Sequence, residues 1–176
     1  MSGIGRNVKR ALRAYEESDY EASAAAIFPA VDATGKKRFP AKGSGVRFRG
    51  IIEQQQDLIT FLAIGNVIIG GSFYGKTMPE ALWHFARCPL LHEAELDRRI
   101  SFSNTDSLAI GETWNLPPSF LLGIIVSVVA ARENLGETEV LTGVVRFGSD
   151  HLDIQTLWGG EDFLRAIIYS YTGRSR

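Results

Sequence analysis

Phe120–Ala131 reads FLLGIIVSVVAA, twelve consecutive residues without a charged side chain. A helix that is apolar on every side has no face to offer water, so it must be surrounded by other elements. At this length it falls well short of the ~20 residues that cross a bilayer. The stretch therefore predicts a buried core helix, running from Phe120 to about Glu133, and no membrane partner. The Leu116-Pro117-Pro118-Ser119 segment sets its start. Downstream, Val140 to Phe147, a Gly148-Ser149-Asp150 turn, and His151 to Leu157 have the form of a β-hairpin, and Glu161 to Tyr171 closes the chain as a helix.

Upstream, the pattern is helical. Val8, Ala11, Leu12 and Tyr15 fall on one face of a first helix, with Lys9, Arg10 and Arg13 on the other. Ser18 or Asp19 can cap a second, whose apolar face is Ala24, Ile27, Phe28 and Val31. Pro29 inside it removes a backbone donor and predicts a kink. Phe39-Pro40 and Gly43-Ser44-Gly45 end that helix, and a third is expected from about Val46 to about Leu62, with Gln55 interrupting its apolar stripe. Asn66 to Gly75 reads as a short strand or extended loop, Met78 to Ala86 as helix, and Ile100-Ser101-Phe102 and Ile110 as short extended pieces. The fold class is mainly α: a helical bundle with a small β-hairpin and short extended segments. One domain is expected over residues 1–176, because a chain of 176 residues is short for two independent cores.

Nineteen basic residues against twenty acidic ones exclude a polycation drawn indiscriminately to nucleic acid, so any such contact must be local. Cys88 is the only cysteine, which excludes an internal disulfide and a zinc site built on several thiolates. A reducing cytoplasm fits this usage. The first residues, MSGIGRNVKRALRAYEE, carry basic groups with no apolar core behind them, unlike a secretory signal. His84, His92, Glu93 and Glu95 form no HExxH or comparable framework, and the glycines of residues 65–75 lack Walker spacing and a GxGxxG motif. No metal and no cofactor is expected.

The stretch Arg87–Leu96, RCPLLHEAEL, carries a guanidinium and an imidazole five positions apart. On an ideal helix five residues turn through about 500°, which separates the two side chains. Pro89 cannot donate to the preceding turn, which predicts a helix ending near Arg87 and a fresh turn from Pro89 that brings both groups to one rim. Together they supply what phosphodiester cleavage in RNA requires: a histidine that moves protons near neutral pH, and an arginine whose forked donors match a phosphate. The bland readings stay open. An arginine at a helix C-terminus satisfies carbonyls, and a histidine beside Glu93 makes a surface ion pair.

RCPLLHE resembles the Arg-x4-6-His motif of the HEPN superfamily, with Pro89 where several bacterial branches carry glycine. Asp32 and Lys36, four apart in Ala30–Lys37, are similar to the acidic-x3-basic pair on an earlier helix of that superfamily. The resemblance implies a small helical bundle, a homodimer whose two motifs line one cleft, and a metal-independent endoribonuclease acting as a toxin or in phage defence, with an antitoxin or other protein partner. Carried over, Arg87 holds the scissile phosphate and His92 moves protons; Asp32 orients one of them, Lys36 contacts phosphate, and Glu93 and His84 flank the site. An inactive relative that binds nucleotide or protein is the alternative. For Asp32 and Lys36 the plain reading is a helical ion pair; for His84 it is a half-buried neighbour of Trp83 and Phe85. Arg47, Arg49, Arg98 and Arg99 offer a local basic surface or simply solvated helix ends.

Overall fold

A computed structural model describes residues 2–103 and 108–173. The chain is mainly helical, with a few short strands. Helix α1 (Gly3–Glu16) starts at Ser2, whose Oγ accepts from the Gly5 N–H at 3.1 Å. Helix α2 (Tyr20–Arg38) starts at Asp19, whose Oδ1 accepts from the Ala22 N–H at 3.0 Å. Each cap satisfies a donor that the first helical turn cannot. Helix α2 runs unbroken through Pro29.

The single helix expected from Val46 to Leu62 is instead two, α3 (Ser44–Gln54) and α4 (Gln56–Ile64), parted at Gln55 (φ −105°, ψ 10°). The apolar stripe spans both because each buries the same side against the core, so periodicity alone could not reveal one displaced residue. Residues 66–75 form a loop whose tip, Phe73–Lys76, closes as a tight hairpin turn, with Phe73 and Lys76 exchanging backbone hydrogen bonds of 2.8 and 3.1 Å.

Helix α5 (Met78–Ala81) opens with a capping box between Thr77 and Glu80. It passes into a π-helical turn, Leu82–Arg87, and then into α6 (Cys88–His92). After it come β1 (Ile100–Phe102), β2 (Ala109–Ile110) and β3 (Trp114–Leu116), in the order β1-β3-β2; β3 runs parallel to β1 and antiparallel to β2. Strand β3 had no sequence expectation. Its Trp114 and Leu116 are buried on one face, a period too short to stand out.

Helix α7 (Ser119–Ala130) is the expected core helix, and all of it but Ser119 and Leu122 is buried. It ends before Glu133, which lies in a 3-10 turn, Arg132–Asn134. Asn134 fixes that turn by donating to Thr34 Oγ1 at 2.9 Å and to the Val128 carbonyl at 2.7 Å. Helix α7 packs on α4, α1 and α2. The hairpin is β4 (Val144–Phe147) and β5 (Asp150–Asp153), shorter than expected at both ends because residues 140–143 are irregular and Ile154–Leu157 form a 3-10 turn. Helix α8 (Glu161–Thr172) follows. Among the described residues no helix is long and apolar enough to cross a membrane.

The α4–α7 contact depends on Gly123, where a Cβ would meet the Ile59 carbonyl oxygen at 2.6 Å and its Cα at 3.0 Å. Those are backbone atoms and cannot swing aside. Gly123→Val is therefore expected to cost at least about 1–3 kcal/mol by overpacking, seen as a lower urea midpoint with an unchanged m-value.

Candidate functional site

The expected break at Arg87 does not occur. From Met78 to His92 the backbone stays helical, and Arg87 and Cys88 both keep right-handed helical angles. The proline is absorbed by the π turn. The Cys88 N–H reaches back five residues to the Trp83 carbonyl, and the Phe85 carbonyl that Pro89 cannot serve accepts from the Asp97 N–H at 3.0 Å. A returning segment thus replaces the donor that the proline lacks. The helix stops after His92, and Ala94 takes a left-handed conformation (φ 61°) as the chain turns away.

Continuity decides where the two motif residues point. Five α-helical residues leave their side chains about 140° apart around the axis, so Arg87 and His92 do not share a rim within one chain. Arg87 turns inward to α2. Its Nε and Nη2 both donate to Asp32 Oδ2, at 3.0 and 2.5 Å, and Nη2 also reaches Ser44 Oγ at 3.2 Å. The guanidinium lies 4.5 Å above the Trp83 ring. Trp83 in turn packs on Phe48 and on Gly45, where a Cβ would come within 3.0 Å of the indole. The side chains of Arg87 and Asp32 are 14% and 16% exposed, so water screens the pair only partly. Two polar atoms there are left over: Asp32 Oδ1 is buried without a hydrogen-bond partner, and Arg87 Nη1 has none among the described residues.

His92 and Glu93 are exposed at the end of α6. Lys36 is exposed on α2, and the helical ion pair with Asp32 is not made, because Asp32 is taken by Arg87. His84 is exposed rather than half-buried. Its pKa is lowered, first by what burial it has and then by the positive charges of Lys76 and Arg49, against the opposing pull of Glu80. Trp83, Ser44 and Gly45 were not singled out from sequence. Trp83 had a signal: it precedes Arg87 by four residues, the spacing at which helical side chains meet.

Asp97, which anchors the exit from this helix, accepts from Arg99 Nε (2.9 Å), Nη2 (2.6 Å) and N–H (2.9 Å), and these bonds push its pKa down to about 2. A depressed carboxylate contributes stability that is present above its unfolded value and lost as pH falls through the folded one. The protein is expected to lose stability between about pH 4 and pH 2, and Asp97→Asn to flatten that dependence. Urea midpoints across this range for both proteins provide the check.

Fold and site together define a mainly α-helical protein in which an arginine, clamped by an aspartate from a second helix and stacked on tryptophan, lies on the helix that ends in an exposed histidine. The chain belongs to the Rv1289 family, whose model matches residues 3–174. It is similar to the uncharacterized proteins Rv1289 of Mycobacterium tuberculosis and Mb1320 of Mycobacterium bovis, each 24% identical over 183 residues that cover 94% of this chain and 87% of theirs. No solved structure matches it.

Proposed function

We propose that the protein is a metal-independent endoribonuclease of HEPN type, acting in the cytoplasm as a toxin or defence effector, with Arg87 and His92 as its catalytic residues. The observation that carries this reading is the Asp32–Arg87 contact. An acid 55 positions away in sequence holds two guanidinium donors on one oxygen while Trp83 holds the face. This orients the guanidinium and leaves Nη1 for a phosphate oxygen. His92 lies at the exposed helix end, where an imidazole exchanges protons with substrate. The angular separation within one chain favours a homodimer, in which His92 of one protomer works on the phosphate held by Arg87 of the other. In that arrangement the 2′-oxygen attacks phosphorus as His92 takes its proton, the guanidinium stabilises the charge on the phosphorane, and the P–O5′ bond breaks with the 5′-oxygen taking a proton from solvent, which leaves the 2′,3′-cyclic phosphate.

A second reading has its own observation. Asp32 already neutralises Arg87, and no carboxylate orients His92 among the described residues. Both features suit a relative that only binds. Purified protein incubated with total RNA in EDTA separates the two. Cleavage that leaves 2′,3′-cyclic phosphate ends and spares DNA is expected. Activity that requires added magnesium would sink the mechanism, and no cleavage across varied RNAs would leave the binding-only reading.

A further inference from the structure

The ion pairs are unevenly distributed. Lys9, Lys37, Arg38, Arg132 and Arg165 each lie against a carboxylate. Around the helical run that carries Arg87, the pattern changes. Arg49, Lys76 and Arg98 have no carboxylate at ion-pair distance among the described residues. Of the acids nearby, Glu80 is held in its capping box with Thr77 and Asp97 by Arg99, while Glu53 lines the same pocket as Arg49 and Glu80 without an ion pair among the described residues. Lys76 and Arg99 place their charged heads over one ring, that of Phe85, at 5.5 and 4.2 Å from its centre. His84 follows Trp83 on the same helical run and is exposed. Its pKa is lowered first by desolvation and then by the charges of Lys76 and Arg49, each of which outweighs the opposing Glu80, in keeping with the cations placed around it.

Beside these cations the hairpin tip Phe73–Lys76 carries a bulky residue where asparagine or glycine is usual. Tyr74 (φ 51°) and Gly75 (φ 75°) both adopt left-handed angles, the geometry of a two-residue turn. A tyrosine in that conformation is strained. The turn leaves Tyr74 72% exposed, and its neighbour Phe73, which packs on Trp114, 42% exposed.

We propose that Arg49, Lys76, His84 and Arg98, with Tyr74, form a docking surface for single-stranded RNA, which continues from the phosphate held at Arg87. Cations without a carboxylate at ion-pair distance track the backbone, Arg49 keeping Nη1 and Nη2 for it beside the bond from Nε to the Gly45 carbonyl, and an exposed ring offers a face to an unstacked base. A duplex keeps its bases stacked and gains nothing from Tyr74. The near-neutral total charge then fits a protein whose attraction for RNA is confined to one face. This inference rests on RNA as the ligand of the proposed function, but not on catalysis.

The test is fluorescence anisotropy of a labelled mixed-sequence RNA of about 12 nucleotides, enough to span such a groove, titrated into full-length His92→Ala protein so that cleavage is removed. Adding Arg49→Glu and Lys76→Glu is expected to weaken binding at least about tenfold and to lower the slope of log K against log salt by about 1.4, two phosphate contacts at about 0.7 each. Tyr74→Ala is expected to weaken single-stranded binding roughly fivefold or more and leave duplex binding unchanged. Arg98→Glu, at an exposed position, repeats the test without touching packed residues, and unchanged thermal unfolding confirms the fold of each variant. Equal affinity and salt slope in all variants, a preference for duplex, or no saturable binding at low salt would overturn the surface. Binding that depends on these residues in a protein that never cleaves RNA keeps the surface and removes the nuclease. Cleavage unaffected by the charge reversals does the opposite.

Discussion

His92→Ala is expected to lower RNA cleavage by the 10²- to 10⁴-fold that a general acid–base group contributes, and Arg87→Lys to be severely impaired although it keeps the charge. The second result follows from the geometry. Asp32 Oδ2 receives Nε and Nη2 together, Ser44 receives Nη2, and the planar face lies on Trp83. A lysine ammonium has three donors but all on one nitrogen and no plane; it cannot reproduce the two-nitrogen contact with Asp32 and the stacking on Trp83 while a third nitrogen faces phosphate. His92 is exposed, so its replacement leaves the core untouched, and its effect should fall on kcat more than on KM. Single-turnover cleavage of a defined RNA at saturating enzyme reads both variants. A His92→Ala protein as fast as wild type removes the imidazole from the mechanism, whatever Arg87 does.

The elements that were legible share one property: their signal is local. The apolar run Phe120–Ala130 could be nothing but a core helix, and Asp19 caps α2 because its side chain reaches a donor three residues on. At the site, what failed depended on groups distant in sequence. Pro89 carries a reliable local message, that it cannot donate, and the message was correct. The helix survives because Asp97, from the segment that returns past it, serves the Phe85 carbonyl, a partner that no spacing rule points to. Gln55 parts α3 from α4 by one residue's torsion, which leaves the hydrophobic pattern in register. At the site, Asp32 and Arg87 were each marked, but their contact crosses 55 positions. The common rim expected for Arg87 and His92 was lost with the helix break on which it depended.

The largest effect on stability is expected from Glu161, a residue that sequence reading gave no part beyond starting the last helix. It lies in the first turn of α8, where the helix N-terminus favours a negative charge. Its Oε2 meets Arg38 Nη2 at 2.5 Å and its Oε1 meets Arg165 Nη1 at 2.5 Å, with only 3% of the side chain exposed. Arg38 reaches on to Glu133, and Arg165 to Asp57, so one carboxylate joins α2, α4, the 3-10 turn after α7, and α8. A surface pair would contribute at most about 1 kcal/mol. Here burial raises the weighting, because the acid is almost fully enclosed and makes a charge-assisted bond to each arginine, although Arg38 keeps Glu133 and Arg165 keeps Asp57 when it is removed. Glu161→Ala is expected to cost about 3 kcal/mol, two charge-assisted hydrogen bonds at roughly 1.5 kcal/mol each, and to lower Tm on the order of 10 °C for a chain of this size. Glu161→Gln keeps an acceptor but loses the charge, and should fall between the variant and wild type. A Glu161→Ala protein with the wild-type Tm would show that the two arginines find water instead, and that the network does not hold α8 to the bundle.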